Sequence, residues 1–132
     1  MLTFENVTKK YPNGKVALDD VSFRISEGEF VFLVGASGAG KSTAIRLIIQ
    51  QEIPSAGNVL FDNIKVNKLK GTNLAAYRRQ LGIVFQDFKL LSARTVWENI
   101  SFVLEVGGKP TPQIKKSVEY VLDLVGLMDK KD

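Results

Sequence analysis

Residues 30 to 43 read Phe30-Val31-Phe32-Leu33-Val34-Gly35-Ala36-Ser37-Gly38-Ala39-Gly40-Lys41-Ser42-Thr43. The first five form a continuous apolar run, the pattern of a strand buried on both faces of a parallel sheet. The last nine fit G-x-x-x-x-G-K-[ST]. Glycines let the backbone take conformations closed to other residues and approach a ligand closely. Successive N–H groups then form a nest for an anion. A helix reading from Ser42 to about Gln50 adds the positive end of its dipole. In such a loop Lys41 is placed to reach β- and γ-phosphates, Ser42 to bind Mg²⁺ through its hydroxyl, and Thr43 to donate to an α-phosphate. The loop Gly35–Thr43 therefore implies a nucleoside triphosphate site, with MgATP the first expectation.

Upstream, Leu2–Val7 partly alternates apolar and polar residues, and Val21-Ser22-Phe23-Arg24-Ile25 alternates cleanly. Both read as strands. Between them Pro12-Asn13-Gly14-Lys15 is a turn, in which Asn-Gly is expected to supply the positive φ values of a tight hairpin. Glu27-Gly28-Glu29 turns the chain again. Downstream, the helix Ser42–Gln50 is apolar nearly all round and is expected to be largely buried. Asn58–Phe61 and Ile64–Val66 read as short strands around an Asp62-Asn63 turn, and Leu74–Gln80 as a short helix. Leu81–Phe85 is a second apolar strand. Thr95 is placed to cap a helix through about Glu105, with Glu98 completing a capping box. Gly107-Gly108-Lys109-Pro110 breaks it. A last helix starts near Thr111, with Ile114, Val118, Val121, Leu122 and Val125 at helical spacing and Gly126 as its C-cap.

The 132 residues suggest one domain or part of one, and at 45 % apolar and 24 % charged the chain reads as globular. It has no cysteine and no histidine. Disulfides, thiolate or imidazole metal sites and histidine acid–base chemistry are excluded within it. The net charge of +4 is spread over separate pairs such as Lys9-Lys10, Arg78-Arg79, Lys115-Lys116 and Lys130-Lys131. Each reads first as a solvated face, and with no dense basic run interleaved with aromatics a nucleic-acid partner is not expected. There is no secretory pattern and no run of about 18 apolar residues. The expected setting is cytoplasmic, with any membrane link made through a partner.

A phosphate loop alone does not select an ATPase, a GTPase or a kinase. The nearest match to the guanine-reading Asn-Lys-x-Asp is Asn67-Lys68-Leu69-Lys70, which lacks the carboxylate. Tyr11 ends the first strand. By position it is an ordinary strand aromatic first and an adenine-stacking platform second. Gln86 directly follows the run Leu81–Phe85, at a strand's C-terminal end, where α/β folds place their sites.

Taken together, these residues resemble the ATP-binding subunit of ABC transporters over essentially the whole chain. Tyr11 matches the family's adenine-stacking aromatic, Gly35-Ala36-Ser37-Gly38-Ala39-Gly40-Lys41-Ser42-Thr43 its Walker A loop, and Val84-Phe85-Gln86-Asp87 its Q-loop. The resemblance implies an α/β P-loop NTPase fold, with an N-terminal antiparallel β-subdomain and a partial parallel core sheet with helices. It implies ATP and Mg²⁺ as cofactors. The ATP-binding set is Tyr11, Val16, Gly35 to Thr43 and Gln86. Ser42 and Gln86 hold Mg²⁺, and Gln86 positions the attacking water. Tyr11–Gly14, Glu29–Gly35, Phe85–Leu91 and Thr95–Asn99 look like the bacterial cell-division branch, with lipoprotein-release and macrolide-export ATPases as near relatives. That branch works as a dimer with an integral membrane partner on the inner face of the plasma membrane. The surface after the Q-loop, with Asp87, Phe88, Leu90, Leu91 and Trp97, would receive the partner. Leu90 and Leu91 read equally well as core.

The family's signature motif, its Walker B aspartate, catalytic glutamate and switch histidine have no counterpart here. Val121–Asp129 mimics a Walker B strand, but no Glu follows either Asp and the spacing from Ile114 is helical. The expectation is an N-terminal part of one ABC-type domain. It is β-rich over 1–34, with the Walker A loop and helix over 35–50, a strand and Q-loop over 81–92, and a helical segment over 95–127.

Overall fold

The computed structural model describes all residues, Met1–Asp132. The chain divides into two units, Met1–Gly82 and Ile83–Asp132.

The first unit is built on an antiparallel sheet. Strands β1 (Leu2–Lys10), β2 (Val16–Ile25), β3 (Ala56–Phe61) and β4 (Ile64–Lys65) lie in the order β2-β1-β3-β4. Phe4 sits between Phe23 on β2 and Val59 on β3. Strict alternation would send Val7 to the opposite face from Phe4, yet both are buried. A bulge resolves this: the register shifts between Phe4 and Val7, and Asn6 takes φ +46°. Gly57 packs against the bulge on β3. A Cβ there would overlap the carbonyl oxygens of Glu5 and Asn6, and its φ is +79°. Asp62 and Asn63, at φ +46° and +66°, form the two-residue turn between β3 and β4, matching the strand twist.

Helix α1 (Lys41–Ile48) adds Ala44 and Leu47 to a core with Phe4, Val7, Leu18, Val59 and Val66. Helix α2 (Gly71–Arg78) contributes Tyr77 to the same core and closes the end of α1. The Tyr77 phenol donates to the Ile48 carbonyl at 2.6 Å. Arg78 donates to the Ile49 and Gln50 carbonyls, each at 2.9 Å. These acceptors lie at the negative end of the helix, where a guanidinium is favoured.

In the second unit, α3 (Val96–Val106) and α4 (Thr111–Leu124) pack on one another. Ile114, Val118 and Leu122 are buried against Val96, Trp97, Ile100, Leu104 and Leu127. The expected capping box forms: Glu98 N–H donates to Thr95 Oγ1 at 3.1 Å, and Thr95 N–H to Glu98 Oε2 at 2.9 Å. Gly126, at φ +68°, ends α4.

Several expectations need correction. Neither Phe30–Val34 nor Leu81–Phe85 is a strand, and Phe30, Phe32 and Val34 are 82 %, 79 % and 86 % exposed. A parallel strand exists only through ladder partners on its flanks, and no strand of the described chain pairs with either run. The helix Ser42–Gln50 is buried along one stripe only, leaving Ile45 exposed. Val121 and Val125 face outward, because α3 covers only the Ile114–Val118–Leu122 stripe of α4. In the β1–β2 turn only Gly14 has positive φ, at +83°. Asn13 instead accepts the Lys15 N–H at 3.1 Å through its side chain.

Candidate functional site: a phosphate-binding loop

The glycine loop runs from Gly35 into the first turn of α1. Ala39 N–H bonds to the Ala36 carbonyl at 3.2 Å, and Ala44 N–H to the Gly40 carbonyl at 2.8 Å. Gly38 and Gly40 take φ +80° and +90°. Gly40 is the N-cap of α1, with no side chain occupying the helix's first donors. It is also the point where the loop meets the sheet: a Cβ there would overlap the Ala17 carbonyl oxygen and come within 2.8 Å of Leu18 Cδ2. No residue but glycine fits that contact with that φ.

Lys41 lies inside the loop, its ammonium donating to the Gly35 and Ala36 carbonyls at 2.5 and 2.7 Å. This holds a positive charge at the centre of the ring of backbone. Thr43 is buried and its Oγ1 lies 3.3 Å from the Tyr11 hydroxyl. A cavity of about 450 Å³ opens over the loop. Its floor is Ser37, Gly38 and Gly40 to Thr43, and its wall is Tyr11, Asn13, Lys15 and Ala17 from the β1–β2 hairpin. Arg46, one turn into α1, joins Lys15 and Lys41 on the lining. Three cations and no carboxylate face this space, which suits a polyanion.

The structure thus gathers Tyr11 and the Ser37–Thr43 part of the loop around one cavity. Gly35, Ala36 and Ala39 do not line the cavity. Val16 is half exposed and does not line the cavity; its neighbours Lys15 and Ala17 do. Sequence reading missed Asn13, Lys15 and Arg46, because nothing in their spacing marks them and only the hairpin and the helix face bring them to the loop.

No group of three or more Asp, Glu, His or Cys side chains could hold a metal by itself. The donor set does fit Mg²⁺ that arrives with phosphates. Ser42 presents a hard hydroxyl oxygen on the cavity, and Mg²⁺ commonly takes one or two protein oxygens beside phosphate and water.

The remaining expected residues belong to the second unit. Gln86 is exposed in a turn with Asp87. Phe88 and Lys89 follow at φ +52° each, an uncommon region for bulky side chains. Lys89 bonds the Asp87 carboxylate at 2.6 Å and holds its carboxyl below the usual carboxylate range. Phe88 and Leu90 are 76 % and 69 % exposed, and Leu91 is also exposed, so they are not core. Trp97 is part of the α3–α4 cluster instead, because α3 turns it onto α4. Asn99 fastens the segment after the turn. Its side chain accepts the Leu91 N–H at 2.8 Å and donates to the Leu91, Arg94 and Thr95 carbonyls.

The family model for ABC transporters matches residues 18–132. The chain belongs to the ABC transporter family. Among relatives, the cell division ATP-binding protein FtsE of Mycobacterium tuberculosis is 47 % identical over 131 residues, covering 98 % of this chain and 57 % of that protein. The methionine import ATP-binding protein MetN of Haemophilus influenzae is 44 % identical over 135 residues, covering 100 % of this chain and 39 % of that protein. A dimeric post-hydrolysis structure of the ATP-binding cassette MJ0796 with ADP and Pi superposes at a TM-score of 0.86 and 36 % identity, covering 99 % of this chain and 60 % of that one. The chain spans little more than half the length of the FtsE relative. As a member of the ABC family it has the P-loop α/β fold expected from Gly35–Thr43. The chain contributes the antiparallel sheet and the helices of that fold. No helix is long and apolar enough to cross a membrane.

Proposed function

We propose that the cavity over Gly35–Thr43 binds MgATP. The observation that carries this reading is the placement of Lys41 inside the loop, with Tyr11, Thr43, Lys15 and Arg46 around the same cavity. Lys41 exchanges its bonds to the Gly35 and Ala36 carbonyls for charge-assisted bonds to β- and γ-phosphate oxygens. The loop N–H groups and the first turn of α1 hold the phosphates, and Thr43 donates to the α-phosphate. The Tyr11 ring carries the adenine. Mg²⁺ carried in with the nucleotide would be held by the Ser42 hydroxyl and would supply neutralisation of phosphate charge.

The chain acts as an FtsE-like subunit, the N-terminal part of a single ABC-type ATP-binding domain. ATP binding and hydrolysis in a dimer drive an FtsX-like integral membrane protein at the cytoplasmic face of the membrane, in cell division. The exposed Phe88, Leu90 and Leu91, beside Asp87, support a docking surface for that partner. Hydrolysis needs a group that activates water, and residues 1–132 hold none opposite the loop. Alone, the chain binds nucleotide with negligible turnover. The identity to MetN supports a second reading, an importer ATPase, with a membrane partner of transporter type on the same surface.

Titration of the chain with MgATP tests the binding site. Lys41→Ala is expected to weaken binding about tenfold or more, the scale of a hydrogen bond to a charged group. Equal affinity in both chains overturns the site, and a preference for GTP over ATP removes the adenine role of Tyr11.

A further inference from the structure

The aromatic ring at the cavity wall is held from two sides. Its hydroxyl meets Thr43 at 3.3 Å. Over its face lies the Lys9 ammonium, 5.1 Å from the ring centroid. Lys9 does not line the cavity. Its side chain is only 12 % exposed, and its ammonium is anchored twice, by Glu52 Oε2 at 2.8 Å and by the Ile53 carbonyl at 2.8 Å. Such an ammonium, largely out of water and neutralised by one carboxylate, is a fixed charge against an aromatic face, the geometry of a cation–π contact.

We infer that Lys9, anchored by Glu52 and the Ile53 carbonyl, is a positioning residue that fixes the Tyr11 ring as a platform for a nucleobase. This rests on Tyr11 being the base-facing residue of the site. The ring turns about two side-chain torsions. The Thr43 contact restrains its tip and the Lys9 contact restrains one face, so the ring's remaining surface is set before a base stacks on it. Pre-organisation of this kind lowers the ordering cost of binding. It acts only on ligands that carry a base. The site therefore discriminates a nucleotide from bare polyphosphate through a lysine that touches neither.

The test compares Mg-ATP with Mg-tripolyphosphate on the full chain by titration calorimetry. Lys9→Met is expected to weaken ATP about two- to fivefold, the scale of one cation–π contact, and to leave tripolyphosphate unchanged. Lys9→Arg, which keeps a cation, restores ATP affinity. Glu52→Gln loosens the ammonium without deleting it. It shifts in the same selective direction and stands in for Lys9→Met if that chain does not fold. An unchanged ATP affinity, or an equal loss for both ligands, overturns the inference. Tyr11→Ala separates the layers. If it weakens ATP selectively while the Lys9 and Glu52 variants do not, the base platform stands and the inference falls. If Tyr11→Ala leaves ATP unchanged, both fall.

Discussion

The Tyr11 hydroxyl lies 3.3 Å from Thr43 Oγ1, so the residue that follows β1 touches the residue that ends the glycine loop. A hydroxyl can accept one hydrogen bond while donating another. Thr43 can therefore accept a hydrogen bond from the Tyr11 hydroxyl and still donate one to a phosphate oxygen. The base side and the phosphate side of the site are joined through these two oxygens. Tyr11→Phe keeps the ring and deletes the join. ATP affinity is expected to fall by about 0.5–1.5 kcal/mol, the net worth of one hydrogen bond, read by calorimetric titration.

Gly40 couples the loop to β2. Gly40→Ala places a methyl group on the Ala17 carbonyl oxygen at φ +90°. The expected loss of stability is about 1–3 kcal/mol from backbone strain alone, with the overlap adding to it. Urea unfolding followed by circular dichroism measures it, and a midpoint equal to that of the unaltered chain would refute the close contact.

Tyr77 is a buried phenol whose pKa is pushed up to about 12 by desolvation, from 10.0. The folded chain keeps that proton when the unfolded chain has begun to lose it. The unfolded state therefore binds fewer protons between pH 10 and about 12, and stability falls as pH rises through that window. Below pH 10 the contribution is fully present. The difference in unfolding free energy between the unaltered chain and Tyr77→Phe is expected to shrink across that window and to stay flat beneath it.

Asn99 ties the Leu91 and Arg94–Thr95 backbone to α3 through four hydrogen bonds. Asn99→Ala releases that segment without touching the α3–α4 core. Amide hydrogen exchange at Leu91 is expected to rise at least tenfold, with the amides of Val118 to Leu122 unchanged, since local opening need not involve the core.

The parts of the fold legible in the sequence were those written in local chemistry. The β1–β2 and β3–β4 hairpins followed from alternation and turn residues, and the α3 cap from Thr95 and Glu98. The left-handed backbone at Gly38 and Gly40 followed from the glycines of the loop. What the sequence could not show depended on partners far along the chain. Phe30–Val34 has the composition of a central strand but no ladder beside it. Val121 and Val125 keep helical spacing on a face that α3 does not reach. Trp97 was expected at a docking surface, yet the turn of α3 places it on α4. Lys15 and Arg46 reach the cavity only because Gly40 brings α1 and the hairpin together, and Lys9 reaches Tyr11 only because Glu52 and Ile53 hold it there. Only local chemistry at each of these positions was visible in advance.

The open run Phe30–Val34 has a consequence for the chain as a solute. It presents alternate phenylalanines to water together with backbone donors and acceptors that no strand engages. Such an unpaired run is open to intermolecular pairing, and its exposed apolar side chains reward the encounter. Association through these five residues is expected to oppose the solubility that a net charge of +4 would favour. Light scattering should rise with concentration, and a lysine in place of Phe32 should suppress the rise while leaving the nucleotide cavity unchanged.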